Sequence, residues 1–424
     1  MRGMKQSILL FAVLVFFVGC GRKAEAAAPE AQSKPTPKDA ANPWDTPTGL
    51  ALFMAEKIEP ATSKASALSD VATALIGAGE KEQALATLKQ ALEVAQGIEL
   101  AFAKAPALTE IATALAKAGE IKPALEVAQR IEDAIGKPFI LSMIALALSE
   151  AGDKEQALAT LKQALEITQK IENESGKASA LSVIAVALAA AGDKKQALAT
   201  LKQAVEVAQR IERVSSKASA LSGIALALVM AGDKEQALAT LKQALEFAQK
   251  IERVSSKAFI LSRIASTLAM AGEIKQAVEM SQKIEDARSR ASALKGIATA
   301  LAEAGDKEQA LATLKQALEF AQKIERVSSK APFLSIIATA LAKAGDEEQA
   351  LATLKQALEV TQKIENAGSK AFALRWIAMS LATEPIPENK KNVRDRRSPR
   401  RMKTAFTPKE EELAKQIVEA MQRK

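Results

Sequence analysis

The residue best placed for covalent chemistry is Cys20, the single cysteine in a chain of 424 residues. A lone thiol cannot close an internal disulfide, so its chemistry would be modification or reaction with something external. Other reactive groups are scarce. The chain has no histidine and no tyrosine, which excludes histidine triads, zinc–histidine sites and histidine proton relays. Carboxylates are plentiful, but they recur unit by unit at helix caps and exposed helix positions, as helix termini and solvated faces require. Glycines are spaced by whole repeats and build no phosphate-cradling loop. No catalytic residue, metal site or cofactor is expected, and the chain reads as a non-enzyme.

Charge and aromatic content narrow the partners. Aromatics make up 3% of the chain, too few for the stacking platforms of single-strand nucleic-acid binding. The net charge of +8 is concentrated at the ends: Asn389 to Lys403 holds eight Lys or Arg against Asp395 alone. The remaining body is near neutral, so a basic nucleic-acid-binding surface is not expected.

The N-terminus reads as a targeting segment. Arg2 and Lys5 precede the apolar run Ile8 to Val18, which is shorter than the ~20 residues that span a bilayer and suits a signal peptide. The run ends Phe17-Val18-Gly19-Cys20. This resembles the lipobox of bacterial lipoproteins, with Phe17 in place of the usual Leu. The resemblance implies a signal peptide over residues 1–19 and a lipidated (palmitate-bearing) Cys20. It also implies a place in the bacterial cell envelope, at the outer membrane facing the periplasm, since Gly21 is not the aspartate associated with inner-membrane retention. Residues 20–46, rich in Ala, Pro, Lys and Glu, are expected to form a flexible tether.

Residues 47–384 are expected to form one repeat array. Units start at Lys64, Lys104, Lys137, Lys177, Lys217, Lys257, Arg290, Lys330 and Lys370, spaced by 40 residues or by 33. Eight are complete and the ninth is a half. In the unit from Lys217, Leu221, Ile224, Ala225 and Leu228 form the apolar stripe of one helix. Gly232 suits a left-handed C-terminal cap, and Asp233 with Gln236 opens the next helix. There Ala237, Leu241, Ala244, Ala248 and Ile251 keep one face apolar. Such hairpins must stack to cover their faces. The short units, from Lys104 and Lys257, lack seven residues in the second helix, two turns to within ~20°, so the stripe survives.

Ile224, Ala225, Gly232, Asp233, Ala237, Leu241 and Ala244 stand at offsets similar to those of tetratricopeptide repeats, although Leu228 replaces the aromatic of the first helix and most units are longer. The resemblance implies an all-α, right-handed superhelical solenoid of antiparallel helix pairs, with first helices lining the concave side. Armadillo- or HEAT-type solenoids are the alternative. At the N-terminal end Pro47 to Glu59 reads as a lone second helix covering the first unit. At the other end a basic linker (385–406) leads to a helix over 407–424, whose Leu413, Ile417 and Met421 could cap the last hairpin.

The expected function is a membrane-tethered, non-enzymatic scaffold that binds a protein or peptide partner on the concave face. The fourth residue after each unit start is Leu and the eighth is Ala in all nine units, marking core, while other first-helix positions vary. Charges on that face gather toward the two ends of the array: Asp70, Glu110 and Lys117 early, Lys295, Glu303, Lys343 and Arg375 late. In the middle, Met143, Leu146, Val186, Leu226, Val229, Met230 and Met270 form an uncharged strip suited to an apolar peptide. Ser182, Ser222 and Ser262 beside it could bond a ligand backbone, or the whole set could be inter-helix packing. The Lys–Asn pattern with which the family clamps a terminal carboxylate is absent. Arg396, Arg397, Arg400 and Arg401 could contact an anionic surface. The alternatives are a structural envelope spacer, or an accessory subunit of an envelope enzyme complex.

Overall fold

The computed structural model describes residues 43–131, 135–384, 401–403 and 405–422. After a short 3-10 turn, helix α1 spans Pro47–Glu56. Eight hairpins follow: α2 and α3 (Ala61–Ala78, Lys81–Gln96), α4 and α5 (Ala101–Lys117, Ile121–Gln129), α6 and α7 (Gly136–Ala151, Lys154–Gln169), α8 and α9 (Glu174–Ala191, Lys194–Arg210). The array continues with α10 and α11 (Val214–Ala231, Lys234–Gln249), α12 and α13 (Val254–Met270, Ile274–Gln282), α14 and α15 (Ala287–Glu303, Lys307–Gln322), α16 and α17 (Val327–Lys343, Glu347–Gln362). The last unit supplies a first helix alone, α18 (Ala367–Ala382). Strands β1 (Thr383–Glu384) and β2 (Arg401–Met402) pair antiparallel, and α19 (Pro408–Gln422) ends the described chain.

Local chemistry accounts for each hairpin. Gly232 sits at φ +81°, a left-handed conformation that a Cβ would strain, and it ends α10. Asp233 then accepts a hydrogen bond from Gln236 N at 3.1 Å, as its counterparts Asp153, Asp193, Asp306 and Asp346 do from theirs. In the two short units Glu120 and Glu273 hold this position without a side-chain cap bond. Their second helices have nine residues against 16 in α3 or α7, the seven-residue loss read from the spacing. The unit-start lysines have a local role: Lys104, Lys137, Lys177 and Lys257 each donate to the carbonyl of the Gln eight residues back. There the negative end of the preceding second helix favours a cation.

Packing sets the curvature. All nine repeated leucines are buried, and the nine repeated alanines are at most 1% exposed; any larger side chain would hold the paired helices apart. Successive first helices pack on one another, whereas second helices pack mainly on their own hairpin and the next first helix. Between second helices the gap is bridged by long side chains, as in Gln209 Nε2 to Gln243 Oε1 at 2.7 Å and Gln322 Nε2 to Gln356 Oε1 at 3.2 Å. The closer side is the inner one. First helices therefore line the inside of the curve.

The array closes on itself. Helix α1 packs on α2, as a second helix packs on the next unit, and also on α18, as a second helix packs on its own first helix. Leu50 and Met54 of α1, both fully buried, share one cluster with Leu374, Ile377 and Leu381 of α18. Glu59 O lies 3.6 Å from where a Cβ on Gly368 would stand, so α1 and α18 run antiparallel. The lone second helix at the start thus completes the half-unit at the end. Helix α1 covers the first unit and also pairs with the last, so that α18 is covered by α1 as well as by α19. Helix α19 lies across α18, α17 and α1, with Leu413 and Ile417 fully buried and Met421 partly buried.

Candidate functional site on the inner face

At 100° per residue, offsets 2, 6, 9 and 13 from each unit start share one face of a first helix, opposite the Leu and Ala that meet the second helix. That face is the inner wall. Of the charges that the sequence assigns to opposite ends of the array, Asp70, Glu110 and Arg375 meet at the closure. Asp70 of α2 pairs with Arg375 of α18 across 305 positions of sequence. Glu110 of α4 stands beside them. Burial, and secondarily the charge of Asp70, raise the Glu110 carboxyl to about 7, against smaller opposing effects of Ser66 and Arg375. Glu110 Oε2 and Trp376 Nε1 are buried without hydrogen-bond partners. A shallow hollow of about 190 Å³ opens here, bounded by Ser66, Pro106, Glu110, Phe372 and Arg375 among others.

The middle of the wall is apolar, and the ring encloses most of it. Met143, Leu146, Val186, Val229 and Met230 are buried, because side chains on the inner side of a tight curve crowd their neighbours. Leu226 and Met270 keep partial exposure. Ser182, Ser222 and Ser262 are buried, and their hydroxyls donate to Ala178 O, Ser219 O and Phe259 O of their own helices. Their offset of five turns them toward the adjacent first helix rather than the opening. Cys20, Arg396, Arg397 and Arg400 lie outside the described residues, and of Arg401 only the β2 backbone is described.

Two features of the inner wall are not legible from the repeat pattern. Leu100, Ile135, Val254, Phe259 and Phe372 are large and exposed, and all five sit at or near first-helix N-termini, hence on one rim. Arg263 of α12 is the other. Its guanidinium donates from Nη1 to Ser219 Oγ of α10 at 3.1 Å and lies 6.0 Å from the Phe259 ring centroid. A departure in the repeat could have flagged it: offset six holds Gly223 in one unit and Arg263 in the next.

Family comparison matches the tetratricopeptide repeat over residues 137–210 and 176–250, the middle of the array. This supports a tetratricopeptide-like solenoid there. Among solved structures, Ton1535 from Thermococcus onnurineus NA1 is 20% identical, with 82% of this chain and 97% of that one covered at a TM-score of 0.34. BtubC from P. vanneervenii is 16% identical over 50% and 90%, TM-score 0.32. A Rap protein complexed with competence and sporulation factor is 17% identical over 75% and 98%, TM-score 0.32. No curated protein matches the chain in sequence.

Proposed function

We propose that the protein is a non-enzymatic scaffold that holds an extended segment of a partner protein against the inner wall, between α10 and α12. The observation that carries this is the uneven chemistry of that wall. Charged groups meet at the closure, while Leu226 and Met270 offer partly exposed apolar side chains in the middle. A spacer with only a structural role has no use for such a division. Leu226→Asp with Met270→Asp tests the reading, since both side chains have room to reach water. The expected outcome is a helical, folded variant that no longer retains the partner recovered with the unaltered protein. Retention at the unaltered level would place the site elsewhere.

The scaffold is further read as lipid-anchored through Cys20 in a bacterial envelope, with the basic segment around Arg396, Arg397, Arg400 and Arg401 adding attraction to anionic head groups at ~1 kcal/mol per charge. One geometric fact supports this. Because α1 runs antiparallel to α18, residue 43 and the β1–β2 neck lie at the same rim, with Lys403 N bonded to Ala382 O at 2.8 Å. The points at which the tether and the basic segment join the array thus share one rim, a placement that suits a two-signal attachment. Cys20→Ser is expected to move the protein from the membrane to the soluble fraction; unchanged fractionation defeats the anchor.

A further inference from the structure

The inner wall carries two arginines deep between first helices, and only one is neutralised. Arg375 pairs with Asp70 and has Glu110 behind it. Arg263 is largely buried, and burial alone pulls its guanidinium below the ordinary value. Among the described residues no carboxylate pairs with it. A guanidinium presents five N–H donors in a rigid fork suited to a carboxylate; here Ser219 Oγ takes one of them. The space the group occupies exists because offset six of the neighbouring helix is Gly223, where a Cβ would stand 3.0 Å from Arg263 Nη2. Other units hold Asp70, Glu110, Met143, Val183, Gly296, Ile336 or Trp376 at that offset. Burying a charge without a counter-charge is costly, so the arrangement suits a counter-charge supplied from outside.

The geometry points to a carboxylate-binding site formed by Arg263, Ser219 and Phe259, taking an Asp or Glu side chain of the segment held by the inner wall. The site rests on the groove reading given above and adds its chemistry. Leu226 stands three residues beyond Gly223 along α10, and Met270 seven beyond Arg263 along α12, or ~5 and ~10 Å at 1.5 Å per residue. An extended segment advances ~3.3 Å per residue, so the acidic residue falls one to three positions from the apolar ones. On the other side of Arg263 the wall continues to Phe259, 54% exposed. A chain therefore passes the guanidinium in both directions, which selects a side-chain carboxylate over a chain terminus.

The test uses the full chain and three fluorescent peptides read by anisotropy: Ac-Ser-Leu-Asp-Leu-Ser-NH2, the same peptide with Asn for Asp, and the Asn peptide ending in a free acid. The Asp peptide is expected to bind ~10-fold or more tightly than the Asn amide, the scale of a charge-assisted hydrogen-bond pair. Arg263→Gln should erase that preference, so that the Asp peptide and the Asn amide bind alike, and Arg263→Lys should keep part of it. The unaltered protein decides the matter even if Arg263→Gln does not fold. Equal binding of all three peptides overturns the site and leaves the groove standing, as does a preference confined to the free acid. Absence of binding by any of them overturns the site and the groove together.

Discussion

At the scale of single residues, the closure concentrates three ionisable groups in one small volume. Glu110 keeps its proton up to about pH 7, against an ordinary value of 4.5. An unfolded chain releases that proton earlier. Folding is therefore most favoured by this group below ~4.5, and the contribution is lost as pH rises through 7, up to about 3 kcal/mol at ~1.4 per unit. Glu110→Gln should flatten this slope and raise the unfolding midpoint at pH 8 relative to the unaltered protein, with little change at pH 5. Chemical denaturation at the two pH values measures both; an identical slope in the variant would show that Glu110 does not titrate in this range. The serines at offset five show the limit of residue-type reasoning. A hydroxyl beside an apolar strip suggests a ligand contact, but Ser222 spends its proton on Ser219 O at 2.8 Å. Which way a helix is rolled against its neighbour decides this, and residue identity does not carry that roll.

At the scale of elements, nearly everything was written in the chain. Gly followed by Asp or Glu marks each turn, the repeated Leu and Ala mark the packed face, and a seven-residue deletion leaves that face intact in α5 and α13. The cap bond that Asp233 accepts from Gln236 N is solvent-exposed, so its loss should act locally. Asp233→Ala is expected to cost ~1 kcal/mol, seen as faster amide exchange in the first turn of α11. Exchange that accelerates across all hairpins alike would mean the array unfolds as one unit. The short strand pair is different. Thr383–Glu384 and Arg401–Met402 carry no strand periodicity in two residues each, and they pair only because α18 and α19 bring them together.

At the scale of the whole molecule, the closure makes α1 a joint between the two ends of the chain. Leu50, Met54 and Ile58 are buried there, each contributing ~1.5–3 kcal/mol by burial. Leu50→Asp with Met54→Asp should detach α1 from α18. Because each hairpin contacts only its neighbours, helices elsewhere should persist. The expected result is retained helical circular dichroism with an increased radius of gyration by small-angle X-ray scattering; an unchanged radius would mean that the ends are held by other contacts. Exposed apolar residues at first-helix N-termini, such as Phe259 and Phe372, mark one rim, while residue 43 and the β1–β2 neck mark the other.

The sequence by itself determined the hairpins, their caps, their number and the face each helix buries. Those follow from periodicity and turn chemistry acting over a few residues, where the local physics is complete. Only the tertiary structure decided that a helix at the start would complete the half-unit at the end, that Asp70 and Arg375 would become neighbours, and that most of the apolar strip would be enclosed. Closure depends on a small rotation between successive units summed over the whole array. No single repeat encodes that sum, because a slight change in side-chain packing at each interface alters the total from an open coil to a ring.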